Sequence, residues 1–152
     1  MTGATGMTGP TAPAVTANYL QDTAAPFATN SATAVTLPLT NVVQNGTAIT
    51  QNANGTIHLA PNQTYSVDYN VTAMVPPGSN GGASMTFNGG LIPGTPSTFS
   101  NPTGALTFRA NLSAGAIIES GASGGDLVLK VNSSNFGTST FDFTSVNVIK
   151  IA

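Results

Sequence analysis

An all-β sandwich or barrel is the fold class this sequence predicts, and three observations predict it. The run Tyr65-Ser66-Val67-Asp68-Tyr69-Asn70-Val71-Thr72-Ala73-Met74-Val75 is apolar at every odd position, the period of a strand with one buried face. Turn chemistry recurs at Asn45-Gly46, Asn54-Gly55, Asn80-Gly81 and Asn88-Gly89-Gly90, because Asn and Gly tolerate the left-handed backbone of tight hairpins. No segment carries the apolar stripe of an amphipathic helix. Short alternating segments between turn signals indicate two packed sheets or a closed barrel.

From the N-terminal side, glycine falls at every third position in Gly3-Ala4-Thr5-Gly6-Met7-Thr8-Gly9-Pro10-Thr11. A collagen triple helix needs that spacing, since only glycine fits where three chains crowd one axis. The period stops at Ala12, and three triplets span only about 28 Å at roughly 3.1 Å per residue. Residues 1–13 are read as the remnant of a collagen-like Gly-x-Thr stalk with its linker, and 14–152 as one β domain. Met1-Thr2-Gly3 has neither the basic nor the apolar region of a secretory signal, and the triplets point to a longer parent chain.

Within the β domain, Tyr65, Val67, Tyr69, Val71 and Val75 are expected on one buried face, with Pro76-Pro77-Gly78 ending the strand, since proline cannot donate to a ladder. Met85 and Phe87 lead into the Asn88-Gly89-Gly90 turn. Leu106, Phe108, Ala110 and Leu112 alternate with Thr107, Arg109 and Asn111, as Leu127, Leu129 and Val131 alternate with Val128 and Lys130. The last segment, Phe141 to Ile151, differs: Ile149 and Ile151 fall on one face, Val146 and Val148 on the other. A strand apolar on both faces is covered on both, which for this terminal strand implies the core on one side and a neighbouring copy on the other.

Composition excludes several classes of function. Of 152 residues only 5% are charged, with five acids and three bases giving a net charge of −2, against roughly 25% charged in ordinary domains. No basic patch for nucleic acid or membrane surfaces results, and no apolar run reaches the roughly 20 residues a spanning helix needs. Cysteine is absent, which removes disulfides, thiolate catalysis and thiolate metal sites.

Several motifs carry a resemblance: Pro26-Phe27, Gly46-Thr47-Ala48-Ile49-Thr50-Gln51, the Tyr65 to Val71 strand, Gly82-Ala83-Ser84-Met85-Thr86-Phe87-Asn88-Gly89-Gly90, Pro93-Gly94-Thr95, and the closing Val148-Ile149-Lys150-Ile151-Ala152. In this order and spacing, after the Gly-x-Thr triplets, the chain resembles the collagen-like exosporium glycoproteins of spore-forming bacteria (the BclA type). Their C-terminal domains look like those of complement C1q and tumour necrosis factor (TNF). The resemblance covers Pro26 to Ala152. It implies a ten-strand C1q/TNF-like jelly roll, a tight homotrimer, and a place at the tip of a filament on the spore surface, either the exosporium or an appendage. It also implies exosporium or coat proteins as partners through the stalk, a host or environmental surface as ligand, and O-glycan acceptors at Thr5, Thr8 and Thr11. No anchoring leader precedes the triplets, which leaves the mount open.

The titratable residues give little chemistry. Glu119 and Asp126 flank Ser120-Gly121-Ala122-Ser123-Gly124-Gly125; a carboxylate pair across a loop is what a glycosidase needs, yet Asp and Gly are also plain turn residues. Asp68 and Asp142 are expected as solvated positions on polar strand faces. His58 has no acidic neighbour in sequence and no second histidine, a poor metal set, and no D-x-D-x-D pattern suggests calcium. The glycine clusters lack the Lys-Ser/Thr of a phosphate loop. Six N-x-S/T sequons, at Asn45, Asn54, Asn62, Asn70, Asn111 and Asn132, arise by chance in so Asn- and Thr-rich a chain.

The expectation is therefore a non-enzymatic surface protein, the trimerisation head of a collagen-like filament, with no cofactor, no metal and no catalytic residue. Tyr65, Tyr69, Phe108, Leu129, Phe143, Ile149 and Ile151 are the residues expected in its core or trimer interface. Two alternatives stand beside it. One is the receptor-binding tip of a phage or appendage fibre, for which Phe99 and Phe136 are the loop aromatics available. The other is a carbohydrate-active enzyme built on Asp126.

Overall fold

The computed structural model describes residues 17–134 and 137–152. The stalk triplets, the Thr5, Thr8 and Thr11 acceptors and Phe136 lie outside them. The described residues form thirteen strands and no helix: β1 (Tyr19–Ala24), β2 (Phe27–Thr29), β3 (Val35–Thr36), β4 (Asn41–Asn45), β5 (Ile49–Gln51), β6 (Ile57–Leu59), β7 (Thr64–Val75), β8 (Asn80–Phe87), β9 (Gly90–Leu91), β10 (Ser97–Ser100), β11 (Phe108–Glu119), β12 (Gly125–Ser134) and β13 (Ser139–Lys150). Ten of them make two five-strand paths, β11-β7-β13-β1-β4 in sheet A and β10-β8-β12-β6-β5 in sheet B. The short β2, β3 and β9 pair at the margins with β13, β12 and β8. All pairings are antiparallel.

The core lies between the two sheets, and β7 builds its middle. Tyr65, Val67, Tyr69, Val71, Ala73 and Val75 are all buried, while Ser66, Asn70 and Thr72 are half-buried and Asp68 and Met74 exposed on the other side. From sheet B, Leu127, Leu129, Val131 and Met85 meet them. Removing each such aliphatic side chain from water contributes about 1.5–3 kcal/mol. The two tyrosines also bridge the layers with their hydroxyls. Tyr69 Oη donates to the carbonyls of Thr95 (2.6 Å) and Ala83 (3.0 Å), and Tyr65 Oη to those of Ala48 (2.9 Å) and Ala60 (3.2 Å). Burial pushes the Tyr69 phenol up to about 12, and raises Tyr65 as well, where the Ala60 carbonyl opposes the rise.

Four expectations need correction. Leu106 does not join the alternation that follows it: β11 starts at Phe108, and Leu106 is 87% exposed. Phe108 keeps the inward parity of Ala110 and Leu112, but at the strand's end it is exposed. Asn80-Gly81 is no turn; it opens β8, paired with Ser134 and Ser133 of β12. Glycine is needed at 81 because a Cβ there would strike the Asn132 carbonyl. Phe99 is core: it is buried in β10, its ring centroid 6.3 Å from that of Phe141.

In β13, Phe141 points inward and so do Val146 and Val148, which simple alternation forbids. A bulge resolves the conflict. Asp142 faces Thr72 and Ser145 faces Asn70, so two residues of β13, Phe143 and Thr144, stand against one of β7. The extra residue inverts which parity faces the core. It turns Val146 and Val148 in and Ile149 out, and Phe143 sits at its centre with φ 46°.

Candidate functional site

The outer face of sheet A is where the unusual chemistry gathers. Register places its residues in level rows across the strands. Asn45, Tyr19, Ile149, Ser66 and Ile117 form one row, from β4 through β1, β13 and β7 to β11. Val43, Gln21, Asn147, Asp68 and Gly115 form the next. Tyr19, Val43, Ile117 (60% exposed) and Ile149 (51%) are all open to solvent. An open groove runs among Tyr19, Gln21, Val43, Asp68, Asn147 and Ile149. The chain enters beside this end: Lys150 N donates to the Asn18 carbonyl (2.9 Å), and Thr64 N to that of Ala152 (2.7 Å).

A belt of uncharged polar residues follows, with Ser145, Asn70 and Ser113 in one row and Thr72 and Asn111 in the next. Asp142 shares the Thr72–Asn111 row, Phe143 sits in the bulge between that row and the Ser145 row, and Met74 and Arg109 stand level in the row beyond. Arg109 lies 5.6 Å from the Phe143 ring centroid and pairs with Asp142 at 3.3 Å. Asp68, another carboxylate on this face, accepts from Asn147 Nδ2 at 2.8 Å. Neither aspartate is the bare solvated residue expected from the alternation.

Tyr65, Tyr69 and Leu129 are therefore core, whereas Phe143, Ile149 and Ile151 are exposed and Phe108 stands at the corner of the sandwich. Burial thus divides a set that sequence left undivided. Edge strand β11 completes the picture: among the described residues it pairs with β7 alone, and its other side carries no ladder partner along its 12 residues. Among its residues only Arg109 and Glu119, near the two ends, are charged.

Elsewhere the fold joins residues that sequence kept apart. His58 Nδ1 lies 2.9 Å from Asp126 Oδ1 across the β6–β12 pair, both half-exposed on the outer face of sheet B. Register is the only signal for that contact, 68 residues long in sequence. Glu119 ends a strand of sheet A, while Asp126, paired with His58, opens a strand of sheet B. Asp22 is fully buried on the inner side of β1; its carboxylate accepts from Thr23 N (2.8 Å) and Gln51 Nε2. No group of three or more His, Cys, Asp or Glu is placed to hold a metal among the described residues.

Two sheets in this order, with these ten principal strands, define a TNF-like jelly roll. Solved structures bear out the class. The chain is similar to an Eiger TNF from S. frugiperda, with a TM-score of 0.64 at 9% identity over 90% of this chain and 94% of that one. It is similar also to murine APRIL at pH 8.0, with a TM-score of 0.62 at 11% identity over 89% of this chain and 99% of that one. At such identities the likeness is one of fold. No protein-family profile matches the sequence, and no curated protein matches it.

Proposed function

We propose that this chain is a non-enzymatic, self-associating head, three copies of which pack through the outer face of sheet A at the end of a collagen-like stalk. The observation that carries the reading is the Tyr19–Ile149–Ile117 row beside the open edge of β11. A long, nearly uncharged edge left bare is an aggregation hazard, and a clustered apolar patch marks an interaction surface. Ile117 stands at the edge, level with Ile149 and Tyr19 further across the same face. A rotation axis running along the strands brings Ile117 of one copy onto the Tyr19–Ile149 groove of the next, a head-to-tail contact that closes into a ring. That the ring has three members rests on the resemblance to collagen-like exosporium glycoproteins.

Assembly on this face gathers three chain entries at Asn18, next to the apolar row. The Gly-x-Thr triplets of residues 3–11 then start in register, which lowers the entropy cost of aligning three unstructured chains. The filament belongs on a spore surface, its stalk threonines glycosylated and its root held by exosporium or appendage proteins. Sheet B and the far-end loops face outward for contact with a host or environmental surface. The test is Ile149→Asp with the solution mass as readout: the reading expects dissociation to single chains, and an unchanged oligomer refutes it.

A further inference from the structure

Among the described residues, Phe143 is the one bulky side chain on a left-handed backbone. A bulky side chain at φ 46° is strained, and the residue is 74% exposed, so burial within one copy does not offset the strain. The ring is nevertheless held in place. The Arg109 guanidinium stands 5.6 Å from its centroid, with Nη1 3.3 and 3.4 Å from the two Asp142 oxygens and Nη2 3.8 Å from Met74 Sδ. Local strain combined with a clamped, exposed aromatic is what pre-organisation for docking requires, because the ordering cost falls on folding and not on binding.

We infer that Phe143, clamped by Arg109 and Asp142, is a second self-docking point whose occupant is another copy of this chain. The inference rests on the self-association reading and extends it along the face, from the apolar row beside the chain entry to the β13 bulge. Three observations select a copy of the same chain over a foreign ligand. The ring projects from the same outer face as Tyr19, Ile117 and Ile149, so whatever covers that face along the strands reaches it too. Arg109 lies on β11, the strand whose open edge the same neighbour covers. Aromatic, Met and Arg side chains are those that interface centres concentrate, and the Arg109–Asp142 pair is neutral in itself, so closing the contact leaves no unmatched charge.

The experiment separates docking from folding. Phe143→Gly removes the ring and relieves the left-handed strain together. In the monomeric Ile149→Asp background it is expected to raise the urea midpoint. In the otherwise native chain it is expected to weaken assembly about 30-fold or more, read as the dissociation concentration in sedimentation equilibrium. Arg109→Gln, which loosens the clamp and keeps the ring, is expected to weaken assembly several-fold. A native chain that assembles while both variants dissociate at its own concentration overturns the inference and leaves the self-association reading intact. A native chain that stays monomeric at every concentration overturns both. Unchanged assembly with loss of binding on a glycan array overturns the inference in favour of a sugar platform.

Discussion

The outer faces of the two sheets differ although the same chain, with the same scarcity of charge, builds both. Sheet A turns out Tyr19, Val43, Met74, Ile117, Phe143 and Ile149. Sheet B turns out Thr50, His58 and Asp126 in one row, Ser84 with Lys130, and Ser134 with Asn80, with Val128 half-buried and Leu91 an exposed apolar side chain. Both satisfy one buried inner face, so packing within the sandwich does not explain the contrast. Hydroxyls and amides on sheet B hydrogen-bond water at little cost. The apolar row on sheet A loses free energy for every Å² left wet, roughly 25 cal/mol. On the self-association reading, the face a strand shows to solvent records what it meets after folding.

Substitutions that move one face toward the other break the comparison most sharply. A carboxylate at Ile149 is expected to abolish assembly, while Val128→Asp, the same change on sheet B, leaves the oligomer intact by light scattering. Core changes come next and spare neither face. Leu129→Ala is expected to cost about 2–5 kcal/mol in urea unfolding, against less than about 0.5 kcal/mol for its outward neighbour Lys130→Ala. Asp22→Leu leaves the Gln51 amide without its carboxylate and is expected to cost about 2 kcal/mol.

A pH scan gives a smaller effect. The folded chain holds the Tyr69 proton more tightly than the unfolded one, since its phenol moves from 10.0 to about 12. Stability from this group is complete below pH 10 and falls as pH rises toward 12. The melting temperature of Tyr69→Phe is expected to decline less steeply than that of the native chain over this window. The smallest change is His58→Ala on sheet B, expected to cost under about 1 kcal/mol because the pair with Asp126 is half-exposed.

How much of this was legible in the sequence follows from which forces are local. The β7 alternation is local, and all six inward positions from Tyr65 to Val75 are buried as its period demands. The inversion of β13 was half legible. The apolar residues on both parities marked a strand with two apolar faces, but a bulge centred on Phe143, with neither glycine nor turn residue to announce it, has no sequence signal. Leu106 misled because alternation continues on paper past the point where the ladder stops. Asn80-Gly81 misled because glycine serves close backbone approach as well as turns. The candidate site was the least legible part. Its rows depend on register between β4, β1, β13, β7 and β11, and register is settled by the whole sandwich.

The account's central claim is that sheet A's outer face holds copies of this chain together, and the absolute mass of the chain in solution tests it most directly. Light scattering is predicted to give about 45 kDa, three chains of 15.1 kDa. A mass of 15.1 kDa, persisting at high protein concentration, would contradict it.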